Sequence, residues 1–274
     1  MIILFIGDIV GAKATELVVR NMPKLRHDHD VDLVIANAEN CAPNGLGTTV
    51  RQLESLLEAG VDVLSGGNHS WDSAQAVASL KLPKVLRPAN VVADLPGRGV
   101  LTVEAAGETV TVVNLADGCA LHSVNAATGK VIPAYQAWEQ VEKCGTVIVD
   151  YHGDHVLEKQ IFAHAVDGIA AAVFGSHTHE PTIPLHLLPG GTAFITDVGM
   201  TGPIGGVQGF DPAPLVRNLR ERGDAFNGPL PGPLREAPIT FGAVLVTIEA
   251  GKATKIERLT DASLTGKKKL GKQN

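Results

Sequence analysis

Along the chain, short and almost wholly apolar runs rich in β-branched residues alternate with stretches in which apolar positions return every three to four residues. The runs are Ile2 to Ile6, Leu33 to Ala36, Val61 to Ser65, Val110 to Leu115, Thr146 to Asp150, Ala171 to Phe174, Ala193 to Asp197 and Phe241 to Ile248. Their length and composition predict strands, most of them buried. The clearest helical pattern opens at Thr49. Thr49-x-x-Gln52 reads as a capping box, Val50, Leu53, Leu56 and Leu57 share one face, and Gly60 supplies the stop. Further helices are predicted from about Ala14 to Arg26, Ser73 to Leu80, Ala134 to Lys143, Val156 to Ala165 and Pro214 to Arg222.

The alternation is a βαβ rhythm, but it is not uniform. Val100 to Leu115 and Phe241 to Leu259 read as hairpins turning at Gly107 and Gly251, so mixed sheets are expected. Gly228-Pro229-Leu230-Pro231-Gly232-Pro233, inside the segment 223–238, marks a loop or arm that could cross to a partner subunit, which leaves a homo-oligomer open. Residues 1–260 are expected to form one domain. Residues 261–274, with Lys267-Lys268-Lys269-Leu270-Gly271-Lys272, are expected to be a solvated, disordered basic tail.

Composition narrows the class. At 274 residues, with 45% hydrophobic and 19% charged positions, the chain is long enough to bury a full core and has none of the bias of a disordered or coiled-coil protein. The first residues lead straight into a strand pattern, with neither a basic leader nor a cleavage site, and no apolar run approaches membrane-spanning length. Cys41, Cys119 and Cys144 are odd in number and form no CxxC pair, which argues against a disulfide framework and a thiolate zinc site. A soluble protein of the reducing cytoplasm, with no membrane partner, is the expectation. The formal charge of −6 disfavours tracking along a long nucleic acid. A small anionic substrate would need local positive charge, which bound metal ions could supply.

The chemistry-bearing residues occur where predicted strands end: Asp8 after Ile2 to Gly7, Glu39-Asn40 after Leu33 to Ala38, and Asn68-His69 after Val61 to Gly67. His152 likewise follows Thr146 to Tyr151, and His177-Thr178-His179 follows Ala171 to Ser176. In an open α/β sheet the carboxyl ends of parallel strands share one edge, where ligands bind. Each residue alone has a plain reading, as a helix cap, a turn residue or an ordinary histidine. Together, imidazoles beside carboxylate and amide oxygens, without thiolate, suit a pair of divalent ions: iron or manganese first, with zinc or magnesium as alternatives.

Gly7-Asp8, Glu39-Asn40, Gly67-Asn68-His69, His152 and Gly175-Ser176-His177-Thr178-His179 resemble the successive blocks of calcineurin-like metallophosphoesterases. Asn68 to Asp72, Arg87-Pro88-Ala89-Asn90 and Thr196 to Pro203 resemble, more narrowly, its YmdB-like branch of bacterial phosphodiesterases acting on 2′,3′-cyclic nucleotides, over Met1 to about Ile248. The resemblance implies an α/β/β/α sandwich of two mixed sheets flanked by helices. It implies one metal on Asp8, Asn40 and His179, a second on Asn68, His152 and His177, and Glu39 bridging them. His69 is left to donate a proton to the departing ribose oxygen. Two such ions would bind phosphoryl oxygens and activate a water. The implied activity is hydrolysis of small phosphodiesters, with 2′,3′-cyclic nucleotides giving 3′-nucleotides. A phosphomonoesterase or nucleotidase using the same ions, and a nucleotide-sensing regulator with incidental turnover, are the alternatives.

Two departures bear on these expectations. Val10 stands where many superfamily members carry a histidine, and Glu39 where they carry an aspartate, so Asn40 is expected to replace the lost ligand. Asp117 to Lys130 lacks the basic and aromatic residues expected after Asn114-Leu115, which bears on substrate preference. Other signals are weaker. His27-Asp28-His29-Asp30 mimics a metal signature but falls at a helix end and reads as a solvated turn. Cys41 reads as a buried small hydrophobe. His155 is near enough to His152 to line a pocket, and Trp71 and Asp72 read as anchors that orient His69. The glycines from Gly199 to Gly206 allow a mobile loop over the site whose amides contact phosphate.

Overall fold

The computed structural model describes residues 1–259 and 261–264. In chain order its strands are β1 Ile2–Ile6, β2 Leu33–Asn37, β3 Val63–Ser65, β4 Val100–Ala105, β5 Glu108–Ala116, β6 Thr146–His152, β7 Ala172–Ser176, β8 His186–Leu187, β9 Ala193–Ile195, β10 Gly202–Pro203, β11 Ile239–Thr240, β12 Ala243–Glu249 and β13 Lys252–Leu259. Its helices are α1 Gly11–Asp28, α2 Val50–Glu58, α3 Ala74–Ser79, α4 His122–Thr128, α5 Ala134–Gln140, α6 Val156–Ala165, α7 Pro212–Arg222 and α8 Asp261–Leu264. One sheet runs β13-β12-β1-β2-β3 and the other β4-β5-β6-β7-β9-β8. Within them β1, β2 and β3 are mutually parallel, as are β5, β6, β7 and β9, while the outer hairpins pair antiparallel.

The two faces of β1 explain the layering. Leu4 and Ile6 pack with Ala14, Val18, Leu53 and Leu56 of the helices outside the first sheet. Ile3 and Phe5 face the second sheet and meet Val110, Ile148 and Phe174. The Phe5 and Phe174 rings stack at 4.5 Å, a contact contributing about 1 kcal/mol beyond burial. Beyond the second sheet, Val113, Val149 and Tyr151 bury against Trp138 of α5 and Phe162 of α6. The order helix, sheet, sheet, helix is the expected sandwich. Strands buried on both faces lose polar alternation, which is why they read as unbroken apolar runs.

The hairpin turns fall where expected. Ala106 and Gly107 at one, and Ala250 and Gly251 at the other, all have positive φ. A two-residue turn of that hand matches the twist of the strands it joins. The capping box at Thr49 is only half formed: Thr49 Oγ1 accepts from the Gln52 amide at 3.3 Å, but Gln52 Oε1 is buried without a hydrogen-bond partner. Replacing Thr49 with alanine is expected to cost about 1 kcal/mol, read as a lower urea midpoint with unchanged slope. No loss would mean that the cap contributes nothing to folding.

Three differences from the predicted elements stand out. Helix α4 was not expected; its residues are short and polar, and Asp117, whose carboxylate accepts from the Ala120 and His155 amides, organises the chain before it. Helix α5 stops at Gln140, ahead of the Lys143 expected. The segment expected to be tail begins with α8, where Asp261 Oδ1 accepts from the Phe241 amide at 2.8 Å and Leu264 packs on the outer core; residues 265–274 lie outside the described residues. Among the described residues no helix is long and apolar enough to cross a membrane.

Candidate metal centre

Parallel β1, β2, β3, β6 and β7 end at one edge, and polar contacts tie the two sheets together there. Asp150 accepts from Asn37 Nδ2 at 3.0 Å and from the hydroxyls of Ser65 and Ser176 at 2.5 and 2.6 Å. Ser176 Oγ in turn meets His152 Nδ1 at 3.0 Å, which leaves Nε2 of that ring facing the predicted ligands. Burial, only partly offset by His152 and the two serine hydroxyls, raises the Asp150 carboxyl to about 6.

The donor atoms converge in two groups. Around His152 Nε2 lie His177 Nδ1 at 2.9 Å, Asn68 Oδ1 at 3.0 Å and Glu39 Oε1 at 3.0 Å. One imidazole nitrogen can donate a single proton, so three lone-pair atoms around it are oversubscribed as hydrogen-bond acceptors. Near the second group, Asp8 Oδ1 sits 3.9 Å from His179 Nε2. Asp8 Oδ1 and Asn40 Oδ1 are both buried with no hydrogen-bond partner. Orphaned buried oxygens of this kind are costly unless a cation or water meets them. Burial opposes charge on both Glu39 and His152; their attraction for each other nevertheless raises His152 to about 9, with Asp8 and Asp150 adding to it, and holds Glu39 well below the usual carboxylate range, with His69 and His177 adding to that. This donor set fits divalent cations.

The backbone is adapted to the same end. His177 and His179 have φ of 97° and 62°, in the left-handed region that L-residues rarely adopt. Such strain costs roughly 1–3 kcal/mol per residue and gathers at functional sites. It is held by Asp8 Oδ2, which accepts from the His177 amide at 3.1 Å, and by Asp197 Oδ2, which accepts from the Thr178 amide at 3.1 Å. Gly67 must lack a side chain, because a Cβ there would lie 2.3 Å from both Glu39 Oε2 and His152 Nε2.

His69 stands apart from the converging donors. Its Nδ1 meets Asp72 Oδ2 at 2.5 Å and its amide donates to Glu39 Oε2 at 3.1 Å, so Nε2 is the ring nitrogen left without a protein partner as the side chain lines the cleft. Burial acts to lower its basicity, but the Asp72 hydrogen bond and the Glu39 charge outweigh it and raise the pKa. Asp72 therefore has the orienting position expected for it.

The structure thus brings Asp8, Glu39, Asn40, Asn68, His69, His152, His177 and His179 to one edge. It also adds groups that sequence reasoning missed. Asp154 Oδ2 holds His177 Nε2 at 3.2 Å. The Asn37, Ser65, Asp150 and Ser176 network stands behind His152, and Lys159 pairs with Asp197 at 3.2 Å behind the strained turn. Asp197 falls in the Thr196-to-Pro203 block, Lys159 lies within α6 with no signal of its own, and the others are marked only by lying in or near strand ends. His155 caps α6, accepting from the Glu158 amide, and does not line the cleft. Cys41 is fully buried, and burial pushes its thiol up to about 12. His27 to Asp30 sit at the exposed end of α1, away from the donors.

Over the centre lies a cleft of about 620 Å³. Val207, Gln208 and Phe210, just past the glycines from Gly199 to Gly206, and the arm shape it, while those glycines themselves do not line it. Gln208, also at positive φ, accepts from His179 Nδ1 at 2.9 Å through its carbonyl and donates from its side chain to the Thr178 carbonyl at 3.1 Å. The arm folds back on its own chain, where Leu234 donates to Gly209 and Asp211 to Gly232.

The chain is similar to known proteins over nearly its whole length. The 2′,3′-cyclic-nucleotide 2′-phosphodiesterase of Bacillus subtilis (strain 168) is 34% identical over 262 residues, which cover 94% of this chain and 96% of that protein. A crystal structure of a phosphatase from Mycoplasma pneumoniae superposes with a TM-score of 0.83 at 28% identity, covering 97% of this chain and 96% of that one. A hypothetical protein from Thermus thermophilus superposes with a TM-score of 0.82 at 33% identity, covering 95% and 98%. The family model described as YmdB-like protein matches residues 4–259, and the chain therefore belongs to the YmdB-like family, on a fold of metallophosphoesterase type.

Proposed function

We propose that this enzyme is a phosphodiesterase working with two divalent cations, one held by Asp8, Asn40 and His179, the other by Asn68, His152 and His177, with Glu39 shared. The favoured substrates are 2′,3′-cyclic nucleotides, opened to 3′-nucleotides. The observation that carries this reading is the donor set: three lone-pair donors crowd around His152 Nε2, and two more buried oxygens, of Asp8 and Asn40, lack any partner. The name of the B. subtilis relative supports the substrate class.

The cations would supply Lewis acidity to the phosphoryl group and an activated water. Oxygen and imidazole donors without thiolate favour iron or manganese. The protein's own contribution is orientation and a proton. Asp150 through Ser176, and Asp154, fix the rings of His152 and His177. As water attacks phosphorus and the bond to the ribose 2′-oxygen breaks, His69 Nε2 gives its proton to that oxygen. Asp72 keeps the imidazole in the tautomer and direction this needs, and its effect persists when cations neutralise Glu39.

Elemental analysis of purified protein is expected to find close to two transition-metal ions per chain. Glu39→Gln and His177→Ala should lower that content, while Thr178→Ala, whose amide rather than hydroxyl is held by Asp197, should keep it. No metal, and no rebinding of manganese or iron, would sink the two-cation reading. Faster turnover of p-nitrophenyl phosphate than of bis-p-nitrophenyl phosphate and 2′,3′-cyclic AMP would make it a monoesterase instead.

A further inference from the structure

The two sides of the cleft differ in chemistry. Its floor is the donor set. One wall is apolar, built by Leu46, Phe210 and Leu215 with Phe226 and Leu230 of the arm. The lining also includes His122 and Ser123 of α4. Among the described residues lining the cleft none is lysine or arginine, and Asp154 adds a negative charge. With no lysine or arginine in that lining, the floor is the main source of positive charge for a phosphate, and the walls offer no fixed cation to a second one.

The apolar wall is also tied to the floor. Phe210 packs with Val10 and Met200, and its ring lies nearly parallel to that of His179 at 6.5 Å between centroids. Gln208 binds the same loop to the His177-to-His179 turn. Phe226 by contrast is 74% exposed and Leu230 53% exposed, although both line the cleft. An exposed aromatic ring in the same cleft as the converging donors, an apolar lining and hydrogen-bonding side chains has the features of a platform for a flat heterocycle. An acyl chain would leave His122 and Ser123 unmatched, and a polyphosphate would meet no cation.

We propose that Phe226, which lines the cleft with Leu230 and Phe210, is the nucleobase platform of this site, and that the site selects cyclic mononucleotides carrying no phosphate beyond the one hydrolysed. The inference rests on the phosphodiesterase reading. Stacking on an aromatic side chain contributes about 1–3 kcal/mol per base, so its loss corresponds to about 5- to 150-fold.

The test compares Phe226→Ala and Phe226→Trp with the parent protein on two substrates, 2′,3′-cyclic AMP and glycerol 1,2-cyclic phosphate, which has the same reacting ring but no base. Phe226→Ala is expected to lower the ratio of kcat/KM between them about 5- to 150-fold, mainly through KM for the nucleotide, and Phe226→Trp to restore it. Adding a 5′-phosphate to the nucleotide is expected to lower kcat/KM in the parent protein. An unchanged ratio in Phe226→Ala, or equal turnover of the 5′-phosphorylated substrate, overturns the platform while leaving the phosphodiesterase intact. Inactivity of the metal-loaded parent on both cyclic substrates would instead overturn the underlying reading.

Discussion

Replacing His69 with alanine is expected to lower turnover of 2′,3′-cyclic AMP by roughly two to four orders of magnitude while the metal content stays at the parent level. The geometry separates these outcomes at adjacent residues. Asn68 Oδ1 is directed at His152 Nε2 among the converging donors, whereas the His69 ring is turned to Asp72 and offers its free nitrogen to the cleft. The defect should depend on the leaving group. A ribose alkoxide needs a proton as it departs and p-nitrophenolate does not, so bis-p-nitrophenyl phosphate should be hydrolysed with a much smaller loss. Equal losses on both substrates would show that His69 stabilises phosphate charge or holds its position. Loss of metal would make it a ligand and redraw the division between Asn68 and His69. Asp72→Asn should move turnover in the same direction by less, because the imidazole would keep its place but lose the carboxylate that favours its protonated form.

The second large effect is expected at a distance from the chemistry. Asp197→Ala should destabilise the protein by about 3–5 kcal/mol, the cost of leaving a buried charge without its partner. Lys159 and Asp197 have side chains 1% and 3% exposed, and the ammonium would keep only the Ser176 carbonyl, at 2.7 Å. Asp197 also accepts from the Thr178 and Gly199 amides, so the same substitution releases the strained turn that carries His177 and His179. A double variant, Lys159→Met with Asp197→Leu, separates the two roles. Replacing the whole pair by apolar residues should recover most of the stability in urea unfolding, yet the metal content should stay low because the Thr178 amide has lost its acceptor. Full recovery of metal in the double variant would confine the pair to a packing role. A loss below about 1 kcal/mol in the single variant would mean that water reaches the ammonium.

Most of the central strands were legible because they are buried on both faces, while their stacking as a four-layer sandwich was implied by the family resemblance. Such strands need apolar residues at every position, and runs such as Ile2 to Ile6 cannot satisfy that need in another setting. The hairpins were legible from Gly107 and Gly251, which open turns of positive φ. Helix α4 was not, because the sequence around His122 to Thr128 has no apolar stripe of its own; none of its residues is buried. Its contacts come from Val124, packed beside Val91, Ala116 and Leu121, and from Asn125, which accepts from the Val131 amide.

The candidate ligands were legible for a related reason. Parallel strands deliver their last residues to one edge, so polar residues placed just after apolar runs are gathered there whatever the details of packing. What the sequence by itself determined is therefore the layered fold, the donors at the strand ends and their likeness to a family of metallophosphoesterases. Only the tertiary structure decided that Asn68, His177 and Glu39 meet at His152, that Asp150 stands behind His152 and Lys159 behind Asp197, and that the arm adds apolar residues to the cleft. These are contacts between residues far apart in the chain, such as Asn37 with Asp150 at a separation of 113 positions. Local pattern reports which face of an element is buried, but it carries no information on which distant side chain a buried polar atom will meet.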